Sequence, residues 1–274
     1  MRYVQSPASR RFGIYLVAVV CIALRPSTPC FAQGATGTIV GTAKDGSGAV
    51  LPGVTVTATH LGTNASRSTL TSDSGDYVVP LLPVGPYSVK AELAGFKSSV
   101  VSGINLQVDQ KARIDLVLQI GEIREQVTVS GEAPVVQTES GSVGKVIDNQ
   151  AIVRLPLNGR NFMQLTMLAP GFVSPPGDLR SSYQGIAPTA NGARSENNNY
   201  MLDGTSNTEH WNTDVVTVPP LDSLEQFKLQ TANYSAEYGQ GGGAIVNIVT
   251  KSGTNRFHGS AWEFHRNDNL DARN

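Results

Sequence analysis

Leu51-Pro-Gly-Val-Thr-Val-Thr-Ala-Thr-His60 decides the fold class of the first half of this chain. Val54, Val56 and Ala58 alternate with Thr55, Thr57 and Thr59. A period of two sends one set to a core and the other toward solvent, so the stretch reads as a half-buried strand. Working outward, Tyr87, Val89, Ala91 and Leu93 alternate with Ser88, Lys90 and Glu92, and Ile114, Leu116 and Leu118 alternate with Asp115, Val117 and Gln119. Lys44-Asp-Gly-Ser-Gly48, Ser72-Asp-Ser-Gly-Asp76 and Pro83-Val-Gly-Pro86 carry turn chemistry between such runs. About seven short strands at this spacing predict a β-sandwich of ~85 residues.

The first 32 residues stand apart. Arg2, Arg10 and Arg11 form a basic start, Phe12 to Leu24 is an apolar run too short to span a bilayer, and Cys30-Phe31-Ala32 offers small residues at a cleavage site. The expectation is a signal peptide cut after Ala32. Both cysteines, Cys21 and Cys30, fall inside it, so the exported chain has no disulfide, thiolate metal site or cysteine nucleophile. The segment also holds four arginines and no acid; its loss leaves 17 basic and 22 acidic residues, a net charge of −5. That balance excludes an electrostatic nucleic-acid binder.

Beyond the sandwich, residues 121–142 are a polar connector with one strand-prone island, Glu125-Gln-Val-Thr-Val-Ser130. Such a segment can add to an exposed sheet edge of a partner; the same residues can serve as the last strand of the sandwich or the first strand of the second domain. Residues 143–255 mix short elements. Val143 to Ile147 reads as a strand, Asp148 as the N-cap of a short helix through Arg154, and Asn161 to Leu168 as a second helix with Phe162, Leu165 and Leu168 on one face. Asn191 to Arg194 and Tyr200 to Gly204 read as paired strand ends, and Phe227 to Thr231 and Ala244 to Thr250 as strands. The fold expected is mainly β: a sandwich followed by a small mixed α/β domain.

Gly37-Thr-Ile-Val-Gly41, Leu51-Pro-Gly-Val-Thr-Val56, Thr71-Ser-Asp-Ser-Gly-Asp-Tyr77, Leu82-Pro-Val-Gly-Pro-Tyr87 and Gly95-Phe96 resemble the carboxypeptidase regulatory-like domain, which implies a transthyretin-like, carbohydrate-binding-like sandwich over residues 33–120. Leu155-Pro-Leu-Asn-Gly-Arg-Asn-Phe162, Asn191-Gly-Ala-Arg194, Tyr200-Met-Leu-Asp-Gly204, Asn233-Tyr-Ser-Ala-Glu-Tyr-Gly239 and the run from Gly241 to Gly253 resemble the plug of TonB-dependent receptors, of the Oar-like group. The resemblance implies a plug over residues 143–255, with Asn158, Gly159, Arg160, Asn161, Arg194, Asp203 and Gly204 as its motif residues. It makes Glu125, Gln126, Val127, Thr128, Val129 and Ser130 a TonB-box-like segment within the linker 121–142. It places the loops 173–190 and 204–218, with His210 and Trp211, toward a small substrate or carbohydrate.

The implied partners are the TonB protein in the periplasm and the outer membrane, reached through a barrel; no cofactor is implied. Residues 256–274, with Trp262 and Phe264 on one face, resemble the start of a first barrel strand. A plugged barrel of about 22 strands needs roughly 400 residues or more. The expectation is therefore a fragment or a truncated gene that cannot make a pore as it stands.

Other chemistry finds little footing. Gly239-Gln-Gly-Gly-Gly243 is followed by strand-forming residues rather than a helix, which disfavours a phosphate loop. His60, His210, His258 and His265 fit no zinc spacing, and there is no Gly-x-Ser-x-Gly elbow. Asp203-Gly204 beside Asn197 to Asn199 has too few acids for a calcium loop. No enzyme is expected. The competing function is a secreted glycan- or partner-binding sandwich, with Tyr77, Tyr87 and Phe96 as stacking residues or, alternatively, as core.

Overall fold

The computed structural model describes residues 35–121, 126–130, 141–155, 157, 160–173, 188–211, 215–238, 242–259, 261 and 263. The expected signal peptide, Glu125, Asn158, Gly159, most of the loop 173–190, Trp262, Phe264 and His265 lie outside them. Residues Gln33–Asn274 belong to one compact unit.

Nine strands build the sandwich: β1 (Thr36–Asp45), β2 (Thr55–His60), β3 (Ser66–Leu70), β4 (Asp76–Pro83), β5 (Gly85–Glu92), β6 (Ser98–Leu106), β7 (Lys111–Arg113), β8 (Leu116–Leu118) and β9 (Gln126–Ser130). One sheet runs β4-β1-β7, with β8 also on β1; the other runs β3-β2-β5-β6-β9. Alternation does what the sequence predicts. Val56 and Ala58 of β2, Tyr87, Val89 and Ala91 of β5, and Leu116 and Leu118 of β8 are all buried in one core. Each fully buried large apolar side chain there contributes about 1.5–3 kcal/mol.

The turn clusters also fall where expected. The Gly48 amide donates to the Asp45 carbonyl at 3.0 Å, and the Asp45 carboxylate accepts from the Ser47 and Ala49 amides. Gly41 is required for a packing reason. β1 pairs with β7 up to Val40 and with β8 from Ala43. At the step between them a Cβ on Gly41 would stand 1.9 Å from the Ile114 carbonyl oxygen.

The C-terminal half comprises β10 (Val143–Asp148), α1 (Asn149–Arg154), a 3-10 turn at Phe162–Leu168, β11 (Phe172–Val173), β12 (Thr189–Ala190), β13 (Asn199–Leu202), β14 (Thr205–Ser206), β15 (Leu224–Ala232) and β16 (Ile245–Thr250). Its main sheet has the order β10-β15-β16-β13-β14, parallel only between β13 and β16. Asp148 caps α1 by accepting from the Ala151 amide at 2.8 Å, and Asn161 caps the 3-10 turn by accepting from Met163. Three expectations need correction. Leu168 is exposed; Met163 and Thr166 are buried beside Phe162 and Leu165, because the turn packs on two adjacent ridges and its last residue runs past the core. The stretches 191–194 and 200–204 do not pair with each other. Asn191 and Gly192 turn the chain with positive φ after β12, which pairs β11, while Tyr200 to Leu202 join β16. The sandwich, finally, does not end at residue 120, since the connector supplies β9.

β15 and β16 are buried on both faces. Phe227, Leu229, Val246 and Ile248 face a core closed by α1 and the 3-10 turn. The opposite face carries Gln226, Lys228, Gln230 and Asn247, all buried, and the sandwich covers it.

Candidate partner-binding edge and motif sites

Gln126–Ser130, the strand-prone island of the connector, lies along β6 in parallel, from Ser98 opposite Gln126 to Ser102 opposite Ser130. It is the terminal strand of its sheet, and among the described residues nothing pairs with its outer edge. β6 and β9 point the same way because β7 and β8, between them in sequence, cross to the other sheet. Of the readings open from sequence, the backbone realises the last-strand one. An edge strand still presents unpaired N–H and C=O groups to a partner.

The motif residues of the C-terminal half have local structural duties. Arg160, in a left-handed conformation, extends its guanidinium to the Asp222 carboxylate at 2.5 Å. Asp203 and Gly204, both at positive φ, form the two-residue turn between β13 and β14. The Asp203 carboxylate accepts from the Thr250 amide at 2.8 Å and its hydroxyl at 2.7 Å, tying the turn to the end of β16. Both carboxylate oxygens of Asp203 thus hold the end of β16, one through the Thr250 amide and one through its hydroxyl. Arg194 is exposed on the chain leading into Ser195–Asn197. Gly243 packs against Asn198 and precedes β16, so no helix N-terminus follows to hold a phosphate.

Sequence reasoning missed two buried asparagines that fasten the loops. Asn198 donates to the Pro188 carbonyl and accepts from the Ala244 amide; Asn207 makes two bonds to the backbone of Thr217. For Asn198 the only signal is the Asn-rich spelling of 197–199, which reads equally as turn. Between Asn207 and its partner Thr217, His210 and Trp211 are exposed, Trp211 at 90%.

A second missed feature is the seat of the sandwich on the sheet. Asp109, at φ 51° in the turn between β6 and β7, receives the Lys228 ammonium on its carbonyl at 3.0 Å and the Asn247 amide on its carboxylate at 3.0 Å. Burial pulls the Lys228 pKa below its usual range, opposed by the nearby Asp109 charge. Val84 and Val108 pack on Val249 beside it. A cleft of about 690 Å³ opens along this seat, lined by Asp109, Lys111, Gln230, Tyr238 and Asn247 among others. Among the described residues, no donor reaches the buried Gln230 Oε1 and Asn247 Oδ1 atoms.

The aromatic candidates for glycan stacking are core residues. Tyr77 and Tyr87 are 2% and 1% exposed, and Phe96 packs against the same cluster. The Tyr77 hydroxyl donates to the Ile114 carbonyl at 2.6 Å and that of Tyr87 to Pro83 at 2.9 Å. Burial raises both pKa values, Tyr87 to about 12. His60 is buried edge-on to Tyr87, its Nδ1 accepting from the amides of Gly62 and Thr63.

Residues 38–119 match the carboxypeptidase regulatory-like domain family, and residues 249–274 match the outer membrane beta barrel domain family. Within the second match, residues 251–259 form no strand. The TonB-dependent transporter Oar of Myxococcus xanthus is 30% identical over 255 residues, which cover 89% of this chain and 23% of that protein. The chain thus spans about a quarter of that relative's length. Among solved structures, a variant of the ferric enterobactin receptor of Pseudomonas aeruginosa aligns at 20% identity over 45% of this chain and 19% of that one, with a TM-score of 0.33. The Bacillus anthracis TIE protein aligns at 23% identity over 31% and 17%, with a TM-score of 0.27.

Proposed function

We propose that this chain, which by sequence belongs with the TonB-dependent receptors similar to Oar, supplies the plug and the periplasmic extension of an energised outer-membrane uptake receptor. The observation that carries the reading is the position of Gln126–Ser130. A strand at an open sheet edge joins the sandwich to the mixed-sheet half, in a chain similar along most of its length to a TonB-dependent transporter. Glu125 to Ser130 is the contact for the TonB protein, which adds a strand and pulls. Residues 143–255 are the plug, seated in a barrel that begins near residue 256. The Arg160–Asp222 pair and the Asp203–Thr250 tie keep the plug's turns in place while it shifts. The exposed His210 and Trp211, with the loop 173–190, face the substrate, a small molecule or carbohydrate taken from outside.

Deleting residues 125–130 in the complete receptor tests this. Uptake is expected to stop while surface binding of substrate persists. Uptake at the unmodified rate removes the assignment of the segment.

A further inference from the structure

Energised uptake by itself gives the sandwich no duty beyond its place in the periplasm. Its second sheet gives it one. β9 is held extended by β6 over five residue pairs, and its outer edge is unpaired among the described residues. A free peptide of this composition would have to be ordered at the moment of capture, which costs backbone entropy at every residue. On β6 that ordering has already happened. Gln126–Ser130 also lacks what usually blunts an exposed edge, having neither Pro nor Lys. The opposite edge of the sheet, β3, is guarded: Arg67 reaches across to the Pro80 carbonyl at 3.1 Å.

We infer that the sandwich is a presenting platform: the TonB protein adds its strand to the outer edge of β9 while β9 stays paired with β6, so that one sheet runs from the sandwich into the partner. This rests on the reading of Glu125–Ser130 as the TonB contact and adds the surface that displays it. Pulling on the partner then loads the sandwich directly, and through Asp109 the face of the plug sheet it covers.

A disulfide lock separates presentation from release. Val100 and Thr128 are register partners, and neighbouring strands about 4.8 Å apart suit a disulfide. The unit Gln33–Asn274 contains no other cysteine. The Val100→Cys, Thr128→Cys chain is titrated calorimetrically with the periplasmic domain of the TonB protein, oxidised and then reduced. The free peptide 123–132 is titrated alongside. Presentation predicts an oxidised Kd within about threefold of the reduced one, and a peptide at least roughly tenfold weaker than the chain. Binding lost on oxidation and regained on reduction overturns it, because β9 would then have to leave β6. A second lock, Ser102→Cys with Ser130→Cys, frees the result from any one side chain. If peptide and both chains all fail to bind, the TonB-contact reading falls, and this inference with it.

Discussion

Asp109 offers the sharpest test of how the sandwich sits on the sheet. Its carboxylate accepts from Asn247 at 3.0 Å, across 138 residues of sequence. Asp109 is half-buried, so the bond is screened; a hydrogen bond to a charged group, discounted for that exposure, is worth on the order of 1–2 kcal/mol. Asp109→Ala also places a Cβ residue without a local hydrogen-bonding side chain at φ 51°, at an added cost of about 1 kcal/mol. Asp109→Gly loses the bond but not the conformation, so it should be about 1 kcal/mol milder than Asp109→Ala. The assay is chemical denaturation of Gln33–Asn274 for Asp109→Gly, Asn247→Ala and the pair. The cycle should return a coupling of about 1–2 kcal/mol. Independent effects, with coupling under about 0.3 kcal/mol, would refute the seat. The Lys228 bond survives all these variants because it uses the main-chain carbonyl.

Three further outcomes rest on the same geometry. Tyr87 is neutral in the fold and its pKa is raised by burial from 10.0 to about 12, so its stabilisation is whole below pH 10 and drains as pH rises through about 12. Chemical denaturation at pH 9 to 12 should lose about 2–3 kcal/mol from this group, and Tyr87→Phe should flatten that part of the loss, the buried Tyr77 supplying the rest. Gly41→Ala drives a Cβ into the Ile114 carbonyl and should cost at least about 2 kcal/mol or prevent folding, read from the melting of the sandwich by circular dichroism. Asp203→Ala removes both bonds to Thr250 and should cost about 2–4 kcal/mol, with hydrogen exchange accelerating at the Thr250 amide.

Much of the fold is written locally in the sequence. The alternation of Val54 to Thr59 fixes β2, and the short-range caps at Asp148 and Asn161 appear as spelled, because each depends on residues two or three positions away. The Asp203-Gly204 turn is likewise a two-residue signal. The features that could not be read have partners far along the chain. Gln226, Lys228 and Gln230 alternate like a solvent-facing strand edge; only the arrival of Asp109, more than a hundred residues earlier, makes them an interface. The strand at Gln126–Ser130 was recognisable as extended, yet its neighbour was not, since parallel pairing with β6 depends on a crossover through two other strands. Leu168 falls outside the core because a helical period does not say where the core ends.

On the function proposed above, a partner takes hold at the edge carrying Gln126–Ser130. Amide spectra of labelled Gln33–Asn274, recorded as the periplasmic domain of the TonB protein is added, address it directly. Shifts and new exchange protection concentrated at residues 125–130, with β6 still protected beneath them, are the expected result. Binding that leaves those amides unmoved, or that perturbs another surface instead, contradicts it.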